Sequence, residues 1–158
     1  MAKSIFIDIP RCINCRACEI ACAREHKGIS LISPVIVDEK FAVPISCRQC
    51  EKAPCIEICA PKALIRSKEG AIIVDPTKCN GCRFCIMVCP YKAVQNDLVN
   101  KIVIICDLCA SRIQEGKEPV CISTCPTKAL IYDEFDLLVE RFKEKAARDI
   151  VKASGLRR

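Results

Sequence analysis

The sequence predicts a small α+β fold, with short β-hairpins and short helices arranged around cysteine loops and a longer helix at the C-terminal end. Three observations carry this. The 158-residue chain has 16 cysteines, in four groups of four. Each group sits in the same approximate unit: a strand, a cysteine loop, a short helix and a second strand. The last stretch, residues 136–153, instead repeats its apolar residues every four positions.

Taken in order, Ile5, Phe6, Ile7, Asp8 and Ile9 read as a strand with Asp8 facing out, broken by Pro10 just before the first cysteines. The first group is Cys12, Cys15, Cys18 and Cys22, a C-x2-C-x2-C-x3-C spacing. Residues 36–41 lie between Pro34 and Pro44 and read as a further hairpin or covering loop. The second group is Cys47, Cys50, Cys55 and Cys59, with four residues in its middle gap. Ile65 and residues 71–74 flank the polar, Gly-bearing turn 66–70, the pattern of a hairpin that Pro76 ends. The third group, Cys79, Cys82, Cys85 and Cys89, repeats the first spacing and is followed by Pro90.

Ala93, Val94 and then residues 102–105 flank the polar stretch 95–101 and read as a second hairpin, without a Gly. The fourth group, Cys106, Cys109, Cys121 and Cys125, carries an 11-residue insertion between its second and third members. Every group ends in C-x3-C. The last cysteines of the second, third and fourth groups also share C-x-x-K-A, through Lys62, Lys92 and Lys128. Leu138, Phe142, Ala146 and Ile150 give the final segment an apolar stripe, suited to packing on its own domain or docking on a partner subunit.

Composition narrows the chemistry. The hydrophobic fraction is 51%, but it counts 16 cysteines, and the chain has no Trp, 2 Tyr and 5 Phe. That is a modest core, so something besides apolar burial holds the fold. Residues 1–10 are not expected to form a signal peptide, and the only adjacent arginines, Arg157 and Arg158, are not placed as in a twin-arginine leader. Apolar runs such as 84–89 and 102–106 are too short to cross a bilayer. A soluble, cytoplasmic protein with no direct membrane span is expected. Thiols stay reduced there, so this density of cysteine points to metal. The formal charge of +6 is scattered, with no basic run longer than two, and no nucleic-acid partner is expected.

C-x2-C-x2-C-x3-C-P is the 4Fe-4S loop of bacterial ferredoxins: three thiolates come from the loop, and the fourth ligates the neighbouring cluster of a pair. Sixteen cysteines make four 4Fe-4S clusters with none left over. Four all-cysteine zinc sites in an interaction module are the alternative, but zinc ribbons pair separated C-x2-C knuckles. His26, the only histidine, has no companion and reads as a surface or loop residue. Asn14, Arg16, Asn80, Gly81 and Arg83 stand in the loops as tuning residues or simple turn formers. With no phosphate loop, nucleophile–histidine pair or open-position metal set, the chain is not expected to be catalytic alone.

The four groups, in this order, resemble the four-cluster iron–sulfur subunits that serve dimethyl sulfoxide reductase, formate dehydrogenases and carbon monoxide dehydrogenase-associated systems. Cys47-Arg-Gln-Cys-Glu-Lys-Ala-Pro-Cys55 and Cys106-Asp-Leu-Cys109, with Arg112, Gly116, Pro119 and Cys121, carry the likeness, which extends from Ile5 to about Ile131. Cys59 departs from it, being followed by Ala60 where the family usually has Pro directly. The resemblance implies two bacterial-ferredoxin-like modules, one from residues 1–30 plus 99–135 and one from 45–98. A connecting hairpin or loop, 31–44, and a C-terminal helix and tail, 136–158, complete the chain.

It also implies the ligand sets, which spacing alone leaves open, because neighbouring groups could pair instead. They are Cys12, Cys15, Cys18 and Cys125; Cys22, Cys106, Cys109 and Cys121; Cys47, Cys50, Cys55 and Cys89; and Cys59, Cys79, Cys82 and Cys85. The function implied is electron transfer to or from a large catalytic subunit holding a pterin-bound molybdenum or tungsten, such as a formate or aldehyde oxidoreductase. A soluble ferredoxin or further redox subunit would stand at the other end. With 22 Ile and 14 Lys, composition leans towards a thermophilic anaerobe and so towards a tungsten aldehyde oxidoreductase. A free polyferredoxin shuttle, serving carbon monoxide dehydrogenase or hydrogenase, is the second reading. Each oxidised cube with four thiolates carries about −2, so Lys62, Lys92 and Lys128 are expected as counter-charge and the apo chain is expected not to fold stably.

Overall fold

The eight strands of the computed structural model, which describes residues 3–155, pair two by two into four antiparallel ribbons. In chain order the elements are β1 (Ser4–Ile7), α1 (Ala17–Glu25), β2 (Ser33–Val37), β3 (Phe41–Ile45), α2 (Pro54–Glu57), β4 (Leu64–Arg66), β5 (Ile72–Val74) and α3 (Phe84–Val88). There follow β6 (Gln95–Asp97), β7 (Ile102–Ile104), α4 (Ala110–Gln114), α5 (Val120–Thr124), β8 (Leu130–Asp133) and α6 (Phe135–Ala153). A 3-10 turn, Ile9–Arg11, leads into the first cysteine loop, with Pro10 at a position where its missing N–H costs nothing.

Three ribbons are local hairpins: β2 with β3, β4 with β5, and β6 with β7. In the first, Pro34 stands opposite Pro44, so both missing donors fall on one rung. The fourth ribbon joins the ends of the chain. β1 pairs with β8, Ser4 opposite Asp133 and Ile7 opposite Leu130. α1 packs on α5 and α2 packs on α3. The first cysteine group therefore meets the fourth, and the second meets the third.

Two-stranded ribbons of three to five residues are marginal alone. They are held by one core that includes Ile5, Ile32, Leu64, Ile72 and Leu108, with Leu138 of α6 also buried. Nine cysteines are buried among these aliphatic residues, five are half-buried, and only Cys15 and Cys82 are exposed.

Two sequence expectations are corrected, and a third, the apolar stripe of the last helix, is narrowed. Asp8 does not face out: it is 6% exposed, because β1 ends at Ile7 and the chain turns beneath α6. There its N–H donates to the Ala129 carbonyl at 2.8 Å, and its carboxylate accepts from Lys145 Nζ at 2.6 Å. Gln95, Asn96 and Asp97 are not part of the turn but form β6. Asp97 permits this by accepting the N–H groups of Val99 and Asn100 and the Asn100 amide, which moves the turn to the residues after it. The α6 stripe is not buried along its length. Leu138 is, but Phe142 and Ile150 are 40% and 69% exposed. The helix is fixed near its start, by the Phe6–Phe135 ring contact and by Arg141 against Asp133. Residues 156–158, including Arg157 and Arg158, lie outside the described residues.

Candidate metal centres

Each cysteine loop is bent by residues in the left-handed conformation. Asn14 and Arg16 adopt it in the first loop, Gln49 in the second, Gly81 and Arg83 in the third, and Leu108 and Cys109 in the fourth. Arg16 and Arg83 begin α1 and α3 in this way, turning Cys18 and Cys85 inward on the first helical turn. The residues considered for tuning thus act as turn formers. Arg16 pairs with Glu19 at 2.6 Å, and Asn80 Oδ1 accepts the Cys82 N–H at 3.3 Å. Among the described residues none of these side chains bonds to a sulfur.

The C-x-x-K-A repeat has a backbone meaning. Lys62, Lys92 and Lys128 all have φ between 51° and 53°, and each donates its N–H to the carbonyl of the cysteine three residues back. That turn aims the next N–H at sulfur: Ala63 donates to Cys59 Sγ at 3.2 Å and Ala129 to Cys125 Sγ at 3.3 Å. Ala63, Ala93 and Ala129 are buried, so a small residue is required there, while the three lysines are exposed. Lys92 Nζ reaches the Met87 carbonyl at 2.9 Å and not a cysteine.

The thiols gather in four neighbourhoods. Burial pushes Cys18 up to about 11, and Cys12, Cys15 and Cys125 add to the effect. These four thiols also line one cavity, with Pro34, Pro44 and Leu130 as its apolar wall. Burial likewise raises Cys121 to about 12, next to Cys109 and Cys22 and within reach of Cys18. Cys106 is driven well above the ordinary thiol value by burial, then by Cys121 and by Cys47. Cys47 stands at about 11, from burial and then from Cys55, Cys50 and Cys89. Cys85, also at about 11, is crowded by Cys82 and Cys59 after burial. Half-buried Cys79 is set at the mouth of its loop by donating its N–H to the Asp75 carbonyl at 3.2 Å.

Crowded, desolvated thiols favour a soft cation that takes their protons away. An all-sulfur donor set on tight loops fits iron–sulfur clusters.

Two residues matter that sequence reasoning missed. His26 is not a loop bystander. Its Nδ1 lies 2.9 Å from the Cys22 carbonyl oxygen and 3.5 Å from Cys22 Sγ, and its Nε2 lies 3.1 Å from Asp107. The Asp107 carboxylate, then Cys22, hold the imidazole at about 11. Burial pushes Cys22 up, but its hydrogen bonds from His26 and the Leu31 N–H outweigh that and leave it below the usual thiol value. The ligand atoms of His26, Asp107 and Cys109 lie within 4.8 Å of one another, but Cys109 belongs to the thiol neighbourhood of Cys121, so the trio is no separate ion site. Gln49, buried, donates its own N–H to Cys47 Sγ at 3.4 Å and its side-chain amide to the Cys106 carbonyl at 2.7 Å. No spacing rule exposes either role, because both contacts join residues more than 50 positions apart.

Comparison with known proteins agrees with this chemistry. Residues 37–134 match the 4Fe-4S dicluster domain family. The chain is 31% identical to a component of the anaerobic dimethyl sulfoxide reductase of Escherichia coli, over 90% of this chain and 78% of that one. It is 32% identical to an iron–sulfur protein of Rhodospirillum rubrum, covering 94% of this chain and 91% of that one. It is 33% identical to the thiosulfate reductase electron transfer subunit PhsB of Salmonella typhi, covering 82% and 74%. No helix of the described residues is long and apolar enough to cross a membrane.

Proposed function

Because this chain belongs to the 4Fe-4S dicluster family of iron–sulfur electron-transfer subunits, we propose that it carries four 4Fe-4S clusters as a wire serving the catalytic subunit of an anaerobic reductase. The ligand sets are those given by the resemblance: Cys12, Cys15, Cys18 and Cys125; Cys22, Cys106, Cys109 and Cys121; Cys47, Cys50, Cys55 and Cys89; Cys59, Cys79, Cys82 and Cys85. The first two sets belong to a module of residues 1–30 plus 99–135, and the last two to the inserted module 45–98. Bound there, each cluster supplies a one-electron redox couple. The protein's part is to hold the thiolates, exclude water and aim N–H groups at sulfur.

The observation that carries the reading is the proximity of Cys47 to Cys106. Cys18 likewise reaches Cys121, and α2, which bears Cys55, packs on α3, which bears Cys85, so the four neighbourhoods suit one series with no gap at the seam. Its two ends have the only exposed cysteines, Cys15 and Cys82. A series closed in the middle and open at both ends suits a conductor between two partners. One partner is a large catalytic subunit, with pterin-bound molybdenum or tungsten and a substrate such as an oxoanion, a sulfoxide, formate or an aldehyde. The other is a soluble ferredoxin or further redox subunit.

Anaerobic iron and sulfide analysis of the untagged protein tests the reading. About sixteen irons per chain, with broad visible absorbance that falls on reduction, is the expected result. About four zinc ions and no colour would overturn it. Co-purification with a large subunit separates a fixed wire from a free shuttle.

A further inference from the structure

His26 is the only histidine of the chain, and it stands inside the proposed wire. It follows α1, four residues after Cys22, and its ring is fixed at both ends. Nδ1 faces the Cys22 carbonyl at 2.9 Å and Cys22 Sγ at 3.5 Å, and both are acceptors once the thiol is a ligand. Nε2 faces a carboxylate oxygen of Asp107 at 3.1 Å, and that same oxygen accepts the Cys109 N–H at 2.8 Å. The ring therefore spans two members of one ligand set, touching Cys22 directly and reaching the Cys109 backbone through Asp107. With an acceptor at each nitrogen, both nitrogens donate. No other sulfur among the described residues faces an ionisable donor; Cys47, Cys59 and Cys125 receive backbone N–H groups.

We propose that His26 is a positioning residue that raises the reduction potential of the cluster bound by Cys22, Cys106, Cys109 and Cys121 above the value its burial alone would give. The inference rests on the ligand sets proposed above. The reduced cluster is the more negative state, so an N–H donor against one of its sulfurs favours reduction. Asp107 fixes the ring so that Nδ1 points at sulfur. The effect is confined to one cluster, because the two sulfurs near the ring, those of Cys22 and Cys109, belong to one ligand set. A single cluster of raised potential in the interior of the series is a resting place for an electron between the two partners.

The test is an EPR-monitored redox titration of the anaerobically loaded full chain, comparing the parent with His26→Phe and His26→Gln. Phenylalanine keeps the ring's volume and removes both donors; glutamine keeps one N–H donor. One of four potentials should fall in His26→Phe by about a tenfold change in its reduction equilibrium constant, about 59 mV for a one-electron couple. The other three should stay, and glutamine should restore part of the shift. Iron per chain should match the parent. Four unchanged potentials would overturn the proposal, and so would a common shift of all four. Loss of iron in both variants would show a purely structural residue and overturn it too. A parent with fewer than four clusters would instead sink the ligand reading beneath it.

Discussion

The Gln49 side chain joins two cysteine loops that are 57 residues apart: Nε2 donates to the Cys106 carbonyl at 2.7 Å, and Oε1 accepts the Ile72 N–H at 2.7 Å. Gln49, Ile72 and Cys106 are all buried, so neither backbone group has water to fall back on. Gln49→Leu leaves both without a partner, at about 1–3 kcal/mol for each buried unsatisfied group. The variant should therefore lose its visible absorbance in denaturant at least about tenfold faster than the parent, the factor for some 1.4 kcal/mol. A bleaching rate equal to the parent's would show that the seam is held elsewhere.

The third cysteine loop depends on one glycine. Gly81 has φ +68°, and a Cβ built there would run into the backbone carbonyl oxygen of Lys101 in the β6–β7 turn. Backbone cannot yield as a flexible side chain can. Gly81→Ala should therefore displace Cys79 and Cys82 and lower the iron content, by about four per chain on the proposed ligand sets. Gly116 is the control: its φ is +74°, with nothing within 4 Å of the built Cβ. Gly116→Ala carries only backbone strain, of order 1–3 kcal/mol, and should load iron as the parent does. Equal iron in both variants would refute the steric argument.

α6 is fastened by a pair that the linear sequence does not suggest, Lys145 Nζ on Asp8 Oδ2 at 2.6 Å. Asp8 is 6% exposed but the lysine side chain is 44% exposed, so solvent screens the pair and its worth is about 1 kcal/mol or less. Breaking it also leaves a buried carboxylate unpaired. Lys145→Met should speed amide exchange across α6 while visible absorbance stays unchanged, because the helix bears no cysteine. Unchanged exchange would mean that Leu138, Phe135 and the Arg141–Asp133 pair hold the helix without Lys145.

Local features are legible in the sequence and long-range ones are opaque, for a physical reason. The hairpin at Leu64–Arg66 and Ile72–Val74 is readable because an apolar pair around a Gly-bearing turn has few other solutions. The cysteine loops are readable because ligand spacing is a local geometric constraint. By contrast, Gln95, Asn96 and Asp97 look like turn residues, and only the Asp97 cap on Val99 and Asn100 makes them a strand. Asp8 looks solvent-facing by alternation, which says nothing about a helix packing back from 137 residues away. His26 looks isolated because its partner Asp107 is 81 residues distant. The lysines of C-x-x-K-A look like counter-charge, yet their shared feature is a left-handed backbone, which at Lys62 and Lys128 turns the next N–H towards sulfur.

Removing the metal should unfold the chain. The secondary structure is four two-stranded ribbons and, apart from α1 and α6, helices of four or five residues, none of which is stable without tertiary packing. That packing includes nine buried cysteines, and six of the other buried apolar residues are alanines, Ala42, Ala53, Ala63, Ala71, Ala93 and Ala129. Without iron, the thiols of Cys18, Cys47 and Cys85, at about 11, and of Cys121, at about 12, stay protonated at neutral pH. They then give neither the ligand bonds nor the N–H···S⁻ contacts that hold the loops closed. Anaerobic chelation of iron should therefore abolish far-UV circular dichroism and cooperative unfolding together with colour, and restored iron and sulfide should recover all three. A colourless protein that still unfolds cooperatively would show a core sufficient without its clusters.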